Sequence, residues 1–131
     1  MQIHRNEDRA ESAANPDWFT GEVTMRPVTS PEGHSALAAA EVRFGPGART
    51  NWHTHPVGQT LVITGGIGWV QRDGEPKMEV RAGDVVLFAP GERHWHGATA
   101  DDEMTHIAMQ EMQNGSAANW AERVSDAEYA G

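Results

Sequence analysis

Between residues 38 and 112, apolar and polar positions alternate in short runs, AAAEVRF, QTLVITGG, IGWVQRDG, GDVVLFAPG, RHWHGA and MTHIAMQEM, each bounded by Gly, Pro or Asp. A period of two places successive side chains on opposite faces, so these runs predict strands with one wet and one dry face. Within AAAEVRF, Ala40, Val42 and Phe44 fall on one face and Glu41 and Arg43 on the other. In MTHIAMQEM the face shared by His106, Ala108, Gln110 and Met112 opposes Ile107, Met109 and Glu111. GPG at 45–47, GG at 65–66 and RDGEP at 72–76 supply the residues that turns require. The tail, NWAERVSDAEYAG, is the one helical candidate, with Ser125 or Asp126 as its cap. The pattern predicts an all-β barrel or sandwich over residues 16–131 with a short C-terminal helix. Residues 1–15 are expected to form an arm, ordered by pairing with another segment, for which a neighbouring subunit is one candidate.

A chain of 131 residues is large enough for one domain with a real core and an internal pocket. Without cysteine, disulfides, thiolate metal sites and cysteine nucleophiles are excluded, and any metal must be held by nitrogen and oxygen. The N-terminal stretch has no apolar core of a leader, and the longest apolar runs are far short of the roughly 20 residues of a membrane span. The expectation is a cytoplasmic protein with no membrane partner. A formal charge of −9 argues against binding the phosphate backbone of nucleic acid.

The chemistry concentrates in NWHTHPVGQ, residues 51–59. On a strand His53 and His55 point the same way, so two imidazoles can converge on one ion. Gln59 follows a Pro-Val-Gly corner that can return its amide to the same point. His94, after the VVLFA strand and a Pro-Gly turn, can arrive from a facing strand. Taken alone, the pair is equally well read as two histidines that happen to alternate on a strand.

The spacing of the remaining residues points to a family. Gly47, five residues, His53, one, His55, three, Gln59, six, Gly66 resembles the first cupin motif, with Gln in place of its usual Glu. Gly83, Gly91 and His94 are in register with the second, although its proline falls on Ala89 and its terminal asparagine on Ala98. The resemblance implies a jelly-roll β-barrel and a metal held by His53, His55, Gln59 and His94. Imidazole suits Mn, Fe, Ni, Cu and Zn alike, so ligand type does not choose the ion.

Glutamine changes the charge of such a site. A carboxylate cancels one unit of the ion's charge, whereas three imidazoles and an amide leave a divalent site formally +2, a stronger Lewis acid and a poorer host for a trivalent ion. The balance moves from redox chemistry toward polarising an oxygen.

His96 faces the same way as His94, about 6 to 7 Å along the strand, too far to assume ligation. It is read either as a pocket residue or as a hydrogen-bonded histidine at the barrel mouth. His106 and Gln110 line the cavity if their face points inward; a satisfied buried polar pair is the bland alternative. Ala40, Val42, Phe44 and Leu61 supply an apolar wall or simply the core, and Trp18 and Phe19 cap the pocket or plug the barrel end. Packing is the better reading of Trp52, Trp69 and Trp95, and a solvated surface position that of His4 and His34. A carboxylated substrate would need a cation at the pocket, for which Arg49, Arg72 and Arg93 are the few candidates; Arg49, the nearest in sequence, is expected to face out, and the apolar inventory favours an uncharged substrate.

PDWFTG, GARTxWHTHPxGQTL, GDVVxFxPGExHWHGA and MTHxAxQE extend the resemblance over nearly the whole chain, to the bacterial manganese-dependent cupin hydroxynitrile lyases. That likeness implies cleavage and formation of (R)-cyanohydrins from an aldehyde and cyanide, with Mn(2+) as cofactor and Fe(2+), Ni(2+) or Zn(2+) as alternatives. It implies a catalytic role for His106 and places Ala40, Val42 and Gln110 at positions that shape the substrate site; His96 and Gln110 are expected to act beside His106, and Phe44, Thr50, Leu61 and Phe19 to complete the pocket. A homodimer or homotetramer is expected. Small cupins also resemble carboxymuconolactone-decarboxylase-like proteins, so an isomerase, decarboxylase or retro-aldol lyase on a hydroxy or keto compound stands as a rival reading. A metal-containing binding module is a third.

Overall fold

The computed structural model describes residues 1–131 as twelve strands, a single 3-10 turn at Asn6–Asp8 and one short α-helix. The longest strand, β7 (Gln59–Arg72), serves two layers of the barrel. Its first half pairs with β11 (Met104–Glu111) and β9 (Val85–Phe88), and its second half with β10 (His94–Ala98) and β8 (Met78–Arg81). Beyond β11 lie β4 (Leu37–Phe44), β3 (Val23–Thr29) and β1 (Ser12–Ala13); beyond β10 lie β5 (Arg49–Thr50) and β2 (Phe19–Thr20). β6 (His53–Thr54) pairs with β10 on one side and β12 (Asn119–Trp120) on the other. Every pairing is antiparallel, and the curled sheet closes on a core that includes Phe44, Leu61, Ile63, Val70, Phe88 and Met104.

The Gly65–Gly66 pair does not end a strand as the sequence suggests. Gly66 takes φ +72 inside β7, and a Cβ there would lie 1.8 Å from the Glu103 carbonyl oxygen, so only glycine lets the strand bend against β11 and pass from one layer to the other. β3 has no counterpart in the predicted strands. Pro27 interrupts its pattern, and the register shift beside Pro27 absorbs the missing donor.

The tail departs further from expectation. Asn119 and Trp120 are strand, not helix, and the helix α1 covers only Asp126–Ala130. Ser125 is its cap, accepting from the Glu128 amide while Glu128 accepts from the Ser125 amide, a reciprocal pair that fixes the start. The tail covers the outer face of β10, where Trp52, Trp95 and Val124 form a second apolar cluster flanked by Trp69 and Tyr129. Arg49 is therefore buried rather than solvated. It does point away from the barrel interior, but the tail closes over it, with the guanidinium donating to the Val124 carbonyl and Asp126 and lying 4.6 Å from the Tyr129 ring. The N-terminal arm pairs with this chain's own β3, through Ser12 opposite Met25 and Ala13 opposite Thr24.

Candidate metal centre

β6 holds His53 directly opposite His94 of β10, and His55 follows where β6 ends. The His53 ring centroid lies 4.3 Å from that of His94 and 4.9 Å from that of His55, and His55 and His94 are 5.4 Å apart. Each ring is oriented by a backbone carbonyl: Nδ1 of His53 against Asn51 at 2.8 Å, of His55 against Ala117 at 2.7 Å, of His94 against Glu92 at 2.9 Å. A carbonyl only accepts, so each Nδ1 carries the proton and each Nε2 is left with a bare lone pair.

Gln59 completes the group. Its Nε2 donates to Gln110 Oε1 at 3.0 Å, which turns its own Oε1 toward His94 Nε2, 3.2 Å away. With the His94 proton on Nδ1, that short approach sets two lone pairs against each other. It is about the separation of neighbouring donors on an ion with bonds of about 2.1 Å. His55 Nε2 is buried with no hydrogen-bond partner. An orphaned nitrogen and a lone-pair pair that lacks a proton are what a cation would satisfy, so the donor set fits an oxygen- and nitrogen-bound divalent ion.

Charge supports the same reading. Burial pushes His94 down to about 3 and His106 to about 4. His53 and His96 lie well below the usual histidine range, through burial first and neighbouring imidazoles second, and burial also lowers His55. All five are neutral at physiological pH, the state in which imidazole can ligate.

His96 lies closer to this group than strand spacing suggests. His53, His94 and His96 each bring a ring nitrogen within 4.8 Å of the others, and the His96 backbone amide donates to Thr50 Oγ1 at 3.2 Å. His96 Nδ1 and His106 Nε2 are 3.0 Å apart, a hydrogen bond in which either ring can be the donor, while His96 Nε2 and His106 Nδ1 are buried without partners. His106 sits between Val42 of β4 and Ile63 of β7, with the Phe44 ring 5.3 Å away.

Of the other pocket candidates, Val42, Phe44, Thr50 and Leu61 are buried and Ala40 is half-buried opposite Ala108. Phe44 packs against both His96 and His106. Phe19 is buried against Phe44 and Trp120 rather than against a histidine of the cluster. A cavity of about 420 Å³ reaches Gln59 and Gln110 from outside, walled by Leu37, Val57, Leu87 and Met109 among others. No guanidinium lines it: Arg72 pairs with Glu75, and Arg93 with Asp73 and Glu122. His4 and His34 are exposed. Sequence reasoning missed Phe88, whose ring stacks on His94 with centroids 3.6 Å apart, and two tail groups, the Ala117 carbonyl and Trp120. Alternation along VVLF could have placed Phe88 inward; no pattern marks the tail groups.

An antiparallel barrel that gathers neutral histidines from two facing strands around an amide defines a small jelly-roll protein with a metal-type pocket. The chain belongs to the cupin family: residues 40–109 match the family described as Cupin domain. It is 49% identical over 129 residues to the (R)-mandelonitrile lyase of Granulicella tundricola, covering 98% of each chain. It is also similar to the crystal structure of a cupin-like protein from Thermotoga maritima, with a TM-score of 0.87, 38% identity, and 98% and 95% of the two chains covered. A polyketide cyclase from Streptomyces resistomycificus shares the fold at 16% identity, with a TM-score of 0.76 and coverage of 98% and 90%. No helix is long and apolar enough to cross a membrane.

Proposed function

We propose that this cupin is a hydroxynitrile lyase, cleaving a cyanohydrin to an aldehyde and hydrogen cyanide and running the reverse addition. The observation that carries the reading is the near full-length identity to an (R)-mandelonitrile lyase, together with a pocket whose donors are all neutral. His53, His55, Gln59 and His94 are proposed to hold a divalent ion, manganese by resemblance, with iron, nickel or zinc compatible with the same donors. The ion supplies Lewis acidity toward a substrate oxygen, undiminished by any protein carboxylate.

The chain's own residues do the rest. The His96–His106 pair takes up the hydroxyl proton at one outer nitrogen and returns a proton to the leaving cyanide from the other, since a single proton between the rings can pass either way without ring movement. Gln110 holds the Gln59 amide and borders the outer cavity. Val42, Phe44, Leu61 and Ala40 present an apolar wall to the substituent and keep water from the leaving group. Without a guanidinium at the cavity, an uncharged substrate fits better than a carboxylate. Met78, Val85 and Leu87 are exposed on β8 and β9, and we propose that a second copy of the chain covers them.

The test is elemental analysis of purified protein combined with cleavage of racemic mandelonitrile, with and without added manganese. Metal-dependent benzaldehyde release is expected, and His106→Ala should lower it by about 10²–10⁴-fold in metal-loaded protein. Full metal loading with no turnover of any cyanohydrin would favour the binding-module reading, and turnover of a hydroxy or keto compound instead would favour the rival lyase or isomerase.

A further inference from the structure

We infer that residues 117–124 form a positioning strap for the metal centre, in which Trp120 and the Ala117 carbonyl hold two of the ligand histidines and couple tail docking to ion binding. The inference rests on the metal reading of the preceding subsection, and it concerns a part of the chain outside the cupin match at residues 40–109.

β6, which carries His53, is only two residues long and meets β10 at a single pair, His53 opposite His94. Its other edge is covered by the tail. β12 places Asn119 opposite Thr54 and Trp120 opposite His53. The pairing continues upstream, with the Trp52 amide donating to the Glu122 carbonyl, the Ala121 amide to Trp52, and Asn51 Nδ2 to the Ala121 carbonyl. The whole HxH segment is thus zipped to residues far along the chain.

Two contacts reach the ligands themselves. His55 lies past the end of β6, and the Ala117 carbonyl accepts from its Nδ1 at 2.7 Å, setting both tautomer and ring plane. Trp120 stacks on the His53 ring, with centroids 4.5 Å apart and planes 28° apart. Trp18 stacks in turn on Trp120, at 5.1 Å and 6°, and the Phe19 ring lies 5.7 Å away, so the indole that meets His53 is itself packed by aromatic neighbours.

The strap is anchored at its far end and turned sharply at its near end. Arg123 donates to the Phe19 and Pro16 carbonyls, Arg49 holds the Val124 carbonyl through two nitrogens, and Arg93 pairs with Glu122. At the other end Asn114 and Gly115 both take left-handed backbone angles, φ 52 and φ 80, which reverse the chain after β11. A tail serving only to cover Trp52 and Trp95 needs the anchored end alone; the contacts to His53 and His55 are additional.

Coupling follows from reciprocity. If docking the strap raises ion affinity by some factor, ion binding must stabilise the docked strap by the same factor. Losing a contact that orients a ligand histidine lowers metal affinity by about 10–100-fold.

The experiment uses the full chain, Mn(2+) as probe, and Trp120→Ala and Trp120→Phe variants. Manganese affinity is read from the free-ion EPR signal, and amide exchange at residues 117–124 is followed with and without Mn(2+). Expected are a loss of at least about 10-fold in affinity for Trp120→Ala, substantial recovery in Trp120→Phe, and slower exchange at Ala121 when wild-type protein is loaded. Wild-type affinity in a folded Trp120→Ala, or exchange in the strap unaffected by Mn(2+), would overturn the strap. Should Trp120→Ala fail to fold, the exchange comparison on wild-type protein decides by itself. Failure of the wild-type chain to bind any divalent ion would instead overturn the metal reading, and the strap's role with it.

Discussion

Metal-free protein should lose stability steeply between pH 6.5 and pH 5, the window in which an unfolded chain protonates its histidines. His94, held at about 3, and His106, at about 4, are neutral in the folded state, whereas in the unfolded chain they titrate near 6.5. Above pH 6.5 both states are neutral and nothing changes. Below it the unfolded chain binds protons that the folded chain refuses, so each histidine removes about 1.4 kcal/mol per pH unit until its folded pKa is reached. At pH 5.0 that is about 2 kcal/mol for each, or about 4 kcal/mol for these two. His53, His55 and His96 are lowered in the same direction and add to it. Against a typical total of about 5–15 kcal/mol, the metal-free chain should approach its unfolding midpoint in mild acid. Urea melts in chelator at pH 7.5, 6.5, 5.5 and 5.0, followed by the fluorescence of the five tryptophans, measure this directly. Carboxylates titrate mostly below this range, so the histidines are isolated from them. His106→Asn should flatten the dependence by about 2 kcal/mol over the window. A stability at pH 5.0 within about 1 kcal/mol of that at pH 7.5 would show that the imidazoles are not held neutral and would refute the electrostatic description of the site.

Three substitutions test other parts of the structure. Gln59→Glu should ease oxidation of a bound ion and lower cyanohydrin cleavage, because a carboxylate offsets charge the amide leaves exposed; unchanged redox behaviour and kinetics would count against the charge argument. Gln110→Leu removes the acceptor that holds the Gln59 amide at 3.0 Å, and manganese affinity measured by EPR should fall about 10-fold. Gly97→Ala puts a Cβ 2.4 Å from the Ala48 carbonyl oxygen and 2.6 Å from Arg49 Cβ, between β10 and β5. A loss of about 3 kcal/mol and a Tm lower by about 10 °C are expected in a thermal melt, since the paired backbone of Ala48 and Arg49 cannot yield cheaply.

The strands that carry the site were legible because their chemistry coincides with their periodicity. Alternation in MTHIAMQEM put His106, Ala108 and Gln110 on one face, and β11 presents that face inward, with His106 and Ala108 buried. The same reasoning failed where tertiary context overrides local pattern. The glycines at 65–66 look like a turn, yet they bend a continuous fourteen-residue strand because β11 runs too close for any side chain. Asn119 and Trp120 sit in a segment with helical composition, yet they extend β6, a strand too short to reveal an edge in need of a partner. Arg49 was unreadable for a related reason: whether a side chain facing out of the barrel meets water depends on a tail 75 residues away.

The distribution of charge gives these details one physical consequence. The buried polar residues are Arg49, Thr50, Asn51, five histidines and Gln59, with no carboxylate among them. Arg49 is on the far side of the sheet, already matched by Asp126 and the Val124 carbonyl, so every polar side chain facing the site is neutral. All nineteen carboxylates therefore lie at the surface and in half-exposed positions, where solvent screens them. A divalent ion in the pocket would bring a charge that no buried side chain offsets, next to the rings of Phe44 and Phe88. Such a site disfavours any step that raises the positive charge and favours one that delivers an anion to it. An uncharged substrate that becomes anionic only during reaction is stabilised more in the transition state than in the ground state, which is the condition for catalysis rather than for tight binding.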